Sequence, residues 1–211
     1  MTIENHYLPF QKMFGGIALI NGVDHKIGTL GFSATADDNS AWIVSCFHVL
    51  YPSTRRLNDN EHESIYQPSQ SRRQTPIAQI SNERTDDRLD IAAARLTFGL
   101  PSRSVLNLGK TKEPVLAERG MRVVKSGAKT GVTEGIVMGV SDELVVIGRS
   151  DDTPEGYVIS DIGDSGSLWL RADDLAPVAL HFEGNSTGAE WAKARPIGLV
   201  LETLQLKLVN E

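Results

Sequence analysis

Along most of this chain, short β-type runs are interrupted by Gly, Asp, Asn or Pro before a helical period can develop. Such a pattern restricts the fold to many short strands joined by tight turns, hence to antiparallel barrels or a sandwich. Ile17-Ala-Leu-Ile20 runs into Asn21-Gly22, a strong two-residue hairpin signal. Lys26 to Ala34 and Ala41 to Cys46 read as the next strands, separated by the turn Asp37-Asp-Asn-Ser40. Tyr51 to Gln74 is polar and reads as a long surface excursion with one strand near Ile65-Tyr66. Thr75 to Ser81 and Leu89 to Leu96 close the first half, and Phe98 to Pro114 connects the halves. Met121 to Lys125 opens the second half. A hairpin of Gly131 to Val140 and Glu143 to Arg149 follows, then strands at Tyr157 to Ser160, Ser167 to Arg171 and Val178 to Phe182. Only after Pro196 do apolar residues (Leu199, Val200, Leu204, Leu208) recur at spacings of three and four, which predicts a helix over about 197–207.

Composition narrows the function classes. With 211 residues, 40% of them hydrophobic, the chain is long enough for a sizeable core. The net charge of −6, without a basic stripe interleaved with aromatics, argues against nucleic acid as a partner. No apolar run approaches the roughly 18 residues of a membrane span, and Met1 to Phe14 lacks the apolar stretch of a secretory signal. A single cysteine, Cys46, rules out an intrachain disulfide and favours a cytoplasmic address. The histidines and the cysteine show no zinc-ligand spacing, so neither a metal nor another cofactor is expected.

The chemistry concentrates in Asp161-Ile-Gly-Asp-Ser-Gly-Ser-Leu-Trp169. Gly163 can bring its backbone N–H close to a ligand, and Gly166 removes bulk behind Ser165. A serine presented this way can attack a carbonyl while neighbouring N–H groups receive the developing charge. A plain β-turn between strands would use the same residue types. The serine needs a base, and the base needs a group that fixes its tautomer. His48 follows the hydrophobic run Trp42-Ile-Val-Ser-Cys-Phe47, where a strand emerging from a barrel wall would present it; a buried structural histidine is the alternative. Asp90 heads the apolar run Ile91-Ala-Ala-Ala94, where a carboxylate needs a partner, with Asp86 and Asp87 as nearby competitors.

The order His48, Asp90, Ser165 is the one that distinguishes the chymotrypsin arrangement from other Ser-His-Asp orders. Together with Lys125-Ser-Gly-Ala-Lys-Thr-Gly-Val-Thr-Glu-Gly-Ile-Val137, these segments make the chain resemble a trypsin-like (chymotrypsin-fold) serine peptidase of the intracellular bacterial type. The resemblance implies an all-β fold of two six-stranded antiparallel β-barrels with the active site between them and a C-terminal helix. The first barrel, residues 1–105, would carry His48 and Asp90, and the second, residues 106–211, would carry Ser165. It further implies Ser165 as nucleophile, His48 as general base and acid, Asp90 as its orienter, and the N–H groups of Gly163 and Ser165 as the oxyanion hole. The substrate would be a protein or peptide, cut through an acyl-enzyme. An acyl side chain would be read by Ile159, Ser160, His181, Phe182, Glu183 and Gly184. Ile159 at the pocket base excludes a basic preference and leaves an apolar or an acidic one, with Ser160 and His181 similar to the pair in glutamyl endopeptidases.

Departures from the family pattern set a specific question. Met13-Phe-Gly-Gly-Ile17 is internal, whereas zymogen-activated members use a freed α-amine to hold the acid before the nucleophile, here Asp164. Either other donors hold Asp164 and the hole is preformed, or an activating partner protein has to order it. A latent or inactive peptidase-fold protein acting as a partner-controlled binding module is the alternative function.

Overall fold

The computed structural model describes residues 6–23, 25–51, 64–67, 76–150, 152–184 and 190–210. Among these residues, seventeen strands and two helices follow one another in the order the turn signals anticipate. The first half comprises β1 (Lys12–Gly15), β2 (Ala18–Asn21), β3 (Ile27–Thr29), β4 (Phe32–Thr35) and β5 (Ala41–Ser45). After the single-turn helix α1 (Phe47–Leu50) come β6 (Ser64–Tyr66), β7 (Pro76–Asp86), β8 (Ile91–Leu96), β9 (Leu100–Val105) and β10 (Gly109–Lys110). The second half comprises β11 (Arg122–Gly127), β12 (Gly131–Val140), β13 (Val145–Gly148), β14 (Leu168–Arg171), β15 (Pro177–Gly184), β16 (Trp191–Pro196), helix α2 (Ile197–Leu204) and β17 (Lys207–Leu208).

The second half closes into a six-stranded antiparallel barrel, β11-β12-β13-β16-β15-β14. The first half forms a curled eight-stranded sheet, β17-β4-β5-β8-β7-β6-β2-β3, beside a small sheet β1-β9-β10. The all-β class, the closed second barrel and the C-terminal helix are as expected, whereas the first unit is a curled half-barrel of eight strands rather than a closed six-stranded barrel. The first unit, however, borrows its edge strand β17 from the far end of the chain, where Lys207 and Leu208 pair with Thr35 and Ala34. Three apolar clusters match this plan. Ile17, Leu19, Ile43 and Ile80 fill the first unit, Val137, Ile147, Trp169 and Val178 fill the barrel, and Phe32, Val44, Leu168 and Leu180 join the two with α2 on top.

Several boundaries differ from expectation for physical reasons. Lys26 to Ala34 is split into β3 and β4 because the chain changes partners there: Leu30 N–H donates to Ile17 O, and Gly31 N–H to Val44 O. Tyr157 to Ser160 is not a strand. Tyr157 N–H closes a turn on Pro154 O, and the Ile159 carbonyl accepts from the Thr133 hydroxyl at 2.8 Å, so side-chain partners replace a ladder. Helix α2 stops at Leu204 because Gln205 turns left-handed (φ 52°), and the remainder of the expected helix becomes β17. Most of the polar excursion Tyr51 to Gln74 lies outside the described residues, but the strand expected near Ile65 is present as β6.

Candidate active site

The site lies at the seam of the two units, and backbone constraints build it from both sides. From the first unit, β5 ends at Ser45 and the chain turns at once into α1, which presents His48 half-exposed. From the turn before β8 comes Asp90, in the left-handed region at φ 57°, a conformation that Asp tolerates better than most residues. Its carboxylate is used twice. Oδ1 accepts the His48 backbone N–H at 3.0 Å and Oδ2 faces His48 Nδ1 at 2.7 Å. The Asp90 carbonyl also accepts from Phe47 N–H, so the turn and α1 are locked in register. Of the competing acids, Asp86 accepts the Leu89 N–H and shapes the turn, and the Asp87 carbonyl receives the Asp90 N–H. Of the three, Asp90 is the acid whose carboxylate meets His48. With Nδ1–H directed at the carboxylate, the lone pair of His48 is left on Nε2.

From the barrel, the turn before β14 presents Ser165. Gly163 (φ 111°) and Gly166 (φ 93°) both occupy the left-handed region open to glycine. A Cβ on Gly166 would run into the Ser45 hydroxyl and the Thr29 carbonyl, so this residue permits the two units to touch directly behind Ser165. Thr29 completes the joint: its N–H donates to Ser165 O, its hydroxyl donates to Gly163 O, and it accepts from Ala128 N–H. Ser165 Oγ is part-buried, 3.5 Å from the Phe182 carbonyl, and among the described residues neither Gly163 N–H nor Ser165 N–H is committed to an internal acceptor. Ser165, Gly163 and His48 line one cleft of about 390 Å³.

Asp164 is fully buried and held from all sides. Lys125 Nζ, also without exposed surface, lies 2.8 Å from Oδ2. The Thr130 hydroxyl donates at 2.6 Å, Asp161 N–H at 3.1 Å, and the N–H groups of Lys129 and Thr130 reach Oδ1 at 2.9 and 3.0 Å. Burial alone would raise this carboxyl, but Lys125 and Thr130 bring it down from 3.8 to about 2. Burial also pushes the Lys125 ammonium below its ordinary value, against the attraction of Asp164. With the charges in contact and every oxygen supplied with donors, the ion pair is the form that persists at neutral pH. Lys125 further stands 5.5 Å over the Trp169 ring.

The residues expected to read a substrate side chain lie together on the barrel side. Ile159 and Ser160 are buried, Ser160 Oγ lies against the bare Cα of Gly184, and His181 is buried with its ring edge-on to Trp169. Among the described residues, Ser160 Oγ and His181 Nδ1 have no hydrogen-bond partner. Burial, aided by the charge of Lys125, takes the His181 imidazole down to about 3, so it is neutral at physiological pH. Glu183, whose charge would repel an acid, is neutralised across the β15–β16 ladder by Lys193 at 3.0 Å. Phe182 sits under Arg195, whose guanidinium lies 4.3 Å from the ring centroid.

Sequence reasoning missed Lys125 as the partner of Asp164. The available signal was a lysine at the end of the apolar run Met121 to Lys125. It also missed Arg195, which donates to Leu89 O at 2.8 Å and to Glu143 O at 2.8 Å, tying the turn that carries Asp90 to the barrel. No local pattern marks that residue. Nor was Tyr7 foreseen: it lines the cleft, its phenol raised by burial and by the Asp164 charge.

No protein-family model and no curated protein matches the chain. Solved structures do. A glutamic-acid-specific serine protease described as using a histidine triad in substrate binding aligns at TM-score 0.66 and 18% identity, over 93% of this chain and 100% of that one. The Nocardiopsis protease aligns at 0.62 and 17%, over 94% and 100%, and Thermobifida fusca protease A at 0.62 and 18%, over 95% and 100%. The chain has the chymotrypsin-like serine protease fold.

The buried ion pair predicts a stability signature. Because the folded pKa of Asp164 lies below its unfolded value, its contribution is complete above about pH 4 and is lost as pH falls from 3.8 through about 2. Lys125→Met should cost about 3–5 kcal/mol in urea unfolding at pH 7, since it strands a buried carboxylate. The double change Lys125→Met/Asp164→Leu should recover much of that loss. An unchanged urea midpoint for Lys125→Met would show that the pair is not the anchor of this loop.

Proposed function

We propose that the chain is a serine endopeptidase. One observation carries this reading: the 2.7 Å contact of His48 Nδ1 with Asp90, which leaves Nε2 for a cleft shared with Ser165. In this mechanism His48 Nε2 takes the proton of Ser165 Oγ as the oxygen attacks a peptide carbonyl. The N–H groups of Gly163 and Ser165 receive the oxyanion. His48 then returns the proton to the leaving amine, and a water, deprotonated by the same nitrogen, hydrolyses the acyl-enzyme. Asp90 keeps the proton on Nδ1 and stabilises the imidazolium. The pairing of Asp164 with Lys125 supports a hole formed without an α-amine and without an activating partner. The single buried cysteine is in keeping with a cytoplasmic setting.

The buried, unpartnered Ser160 Oγ and His181 Nδ1 favour a specific acyl-side preference, an acidic residue before the cut. A carboxylate entering there would accept from the hydroxyl and from the imidazole N–H, groups that otherwise stay unsatisfied. The glutamic-acid-specific protease of the same fold makes this the natural first choice over an apolar preference.

A fluorophosphonate probe should label the chain and fail to label Ser165→Ala. Asp90→Asn should lower kcat by about 10⁴-fold at neutral pH, because an amide favours the wrong tautomer of His48. Asp87→Asn should have little effect. Full labelling of Ser165→Ala, or the reverse order of the two Asp variants, would contradict the assignment. On the acyl side, a peptide with Glu before the cut should be hydrolysed at least about 10-fold faster than its Gln counterpart, an advantage reduced in Ser160→Ala. Faster cleavage after Leu than after Glu would return the pocket to the apolar reading.

A further inference from the structure

The cleft of about 390 Å³ that contains Ser165 and His48 extends away from the acyl-side residues: none of Ile159, Ser160 or His181–Gly184 lines it. It runs instead past Gly163 towards Ile27, His25, Lys26 and Lys129. If the acyl half of a substrate lies along β15, this flank is left for the half that departs. Its chemistry is distinctive. In a chain of net charge −6, the lining includes Lys129 and His25, with Lys26 between His25 and Ile27, and no Asp or Glu among the described residues lines it. The nearest buried acid, Asp164, is already compensated by Lys125. Ile27 and Ile162, 44% and 85% exposed, add apolar walls suited to a methylene stem.

Lys129 is held at the cleft by the same carboxylate that orders the nucleophile loop. Its backbone N–H donates to Asp164 Oδ1 at 2.9 Å, and its Cβ lies 3.3 Å from where a Cβ on Gly163 would stand. The root of this side chain is therefore fixed beside the expected oxyanion hole, while its ammonium remains on an exposed residue at the mouth of the cleft.

We propose that this basic flank, with Lys129 as its specificity-determining residue, binds an acidic side chain within the first two residues after the scissile bond. The proposal rests on the peptidase reading above for the direction of the substrate. It has a physical rationale in the charges alone: an aspartate or glutamate here would meet cations in a concave site with low-dielectric walls, where attraction is stronger than on an open surface.

Internally quenched peptides with a common acyl half, carrying Glu, Gln or Lys at the two positions after the cut, test it. Glu peptides should show kcat/KM about 10-fold above Gln and further above Lys, with the gap narrowing as salt rises. Lys129→Gln should shrink the Glu/Gln ratio to about 2-fold or less, whereas Lys207→Ala, at a lysine that does not line the cleft, should leave that ratio in place. Fluorophosphonate labelling of each protein reports separately on the nucleophile and base. Labelling and cleavage without a Glu advantage would overturn the subsite and leave the peptidase reading standing. If neither labelling nor cleavage occurs, the peptidase reading fails, and fluorescence anisotropy of the same peptides, dye-labelled, decides the subsite. Tighter binding of the Glu peptide, lost in Lys129→Gln, would support it, and equal binding of Glu and Gln peptides would overturn it.

Discussion

A carboxylate buried without water must be compensated where it stands, and the arrangement around Ser165 depends on how this chain compensates Asp164. Lys125 reaches it from within β11, Thr130 and Lys129 from the turn before β12, and Asp161 from its own loop. Three separate segments are thereby pinned to one side chain, and the backbone between Asp161 and Ser165 has little freedom left. On the proposed reading, this lysine on a barrel strand would take the place that a freed chain terminus has in zymogen-activated serine peptidases. Its cost is the desolvation of an ammonium and a carboxylate together, which contact and complete hydrogen bonding offset.

The second dependency is the joint between the two units. His48 and Asp90 belong to one unit and Ser165 to the other, so a shift of about 1 Å between them would separate the proposed base from the proposed nucleophile. Several contacts oppose such a shift. Gly166 lets the nucleophile turn press against Ser45 and Thr29, and Thr29 hydrogen-bonds the carbonyls of both Gly163 and Ser165. Arg195 crosses from β16 to the carbonyl just before Asp90, while stacked on the Phe182 ring whose residue faces Ser165 Oγ. The exposed bidentate pair of Arg88 with Glu143 spans the same seam but, being solvated, contributes little.

Much of this was legible in the sequence because short-range chemistry set it. The turn residues marked most strand ends, β12 ran over the expected residues Gly131 to Val140, and the terminal apolar period marked α2. His48 and Asp90, expected to meet from positions 42 residues apart, do so at 2.7 Å. What was not legible depends on partners distant in the chain. Tyr157 to Ser160 has strand-like composition but forms no ladder: the Ile159 carbonyl accepts from the Thr133 hydroxyl, and the Tyr157 hydroxyl accepts from Glu134 N–H. Lys125 and Asp164, 39 residues apart, look like an ordinary lysine and an ordinary turn acid until the barrel closes. Arg195 and Lys193 acquire their roles only from the register of β16 against β13 and β15. The strand β17 could not be foreseen from a helical period that continued through Leu208 while the backbone turned left-handed at Gln205.

The central proposal is that Lys125, rather than a new amino terminus or a second protein, holds the loop of Ser165 in a form able to react. The most direct measurement is the rate of fluorophosphonate labelling at Ser165 in the purified, uncut chain, with intact mass recorded before and after. The account predicts immediate stoichiometric labelling of a chain that still carries residues Met1 to Gly16, and a rate lowered about 100-fold or more in Lys125→Met. Labelling that appeared only after removal of those residues, exposing Ile17 as the terminus, or only on addition of another protein, would contradict it.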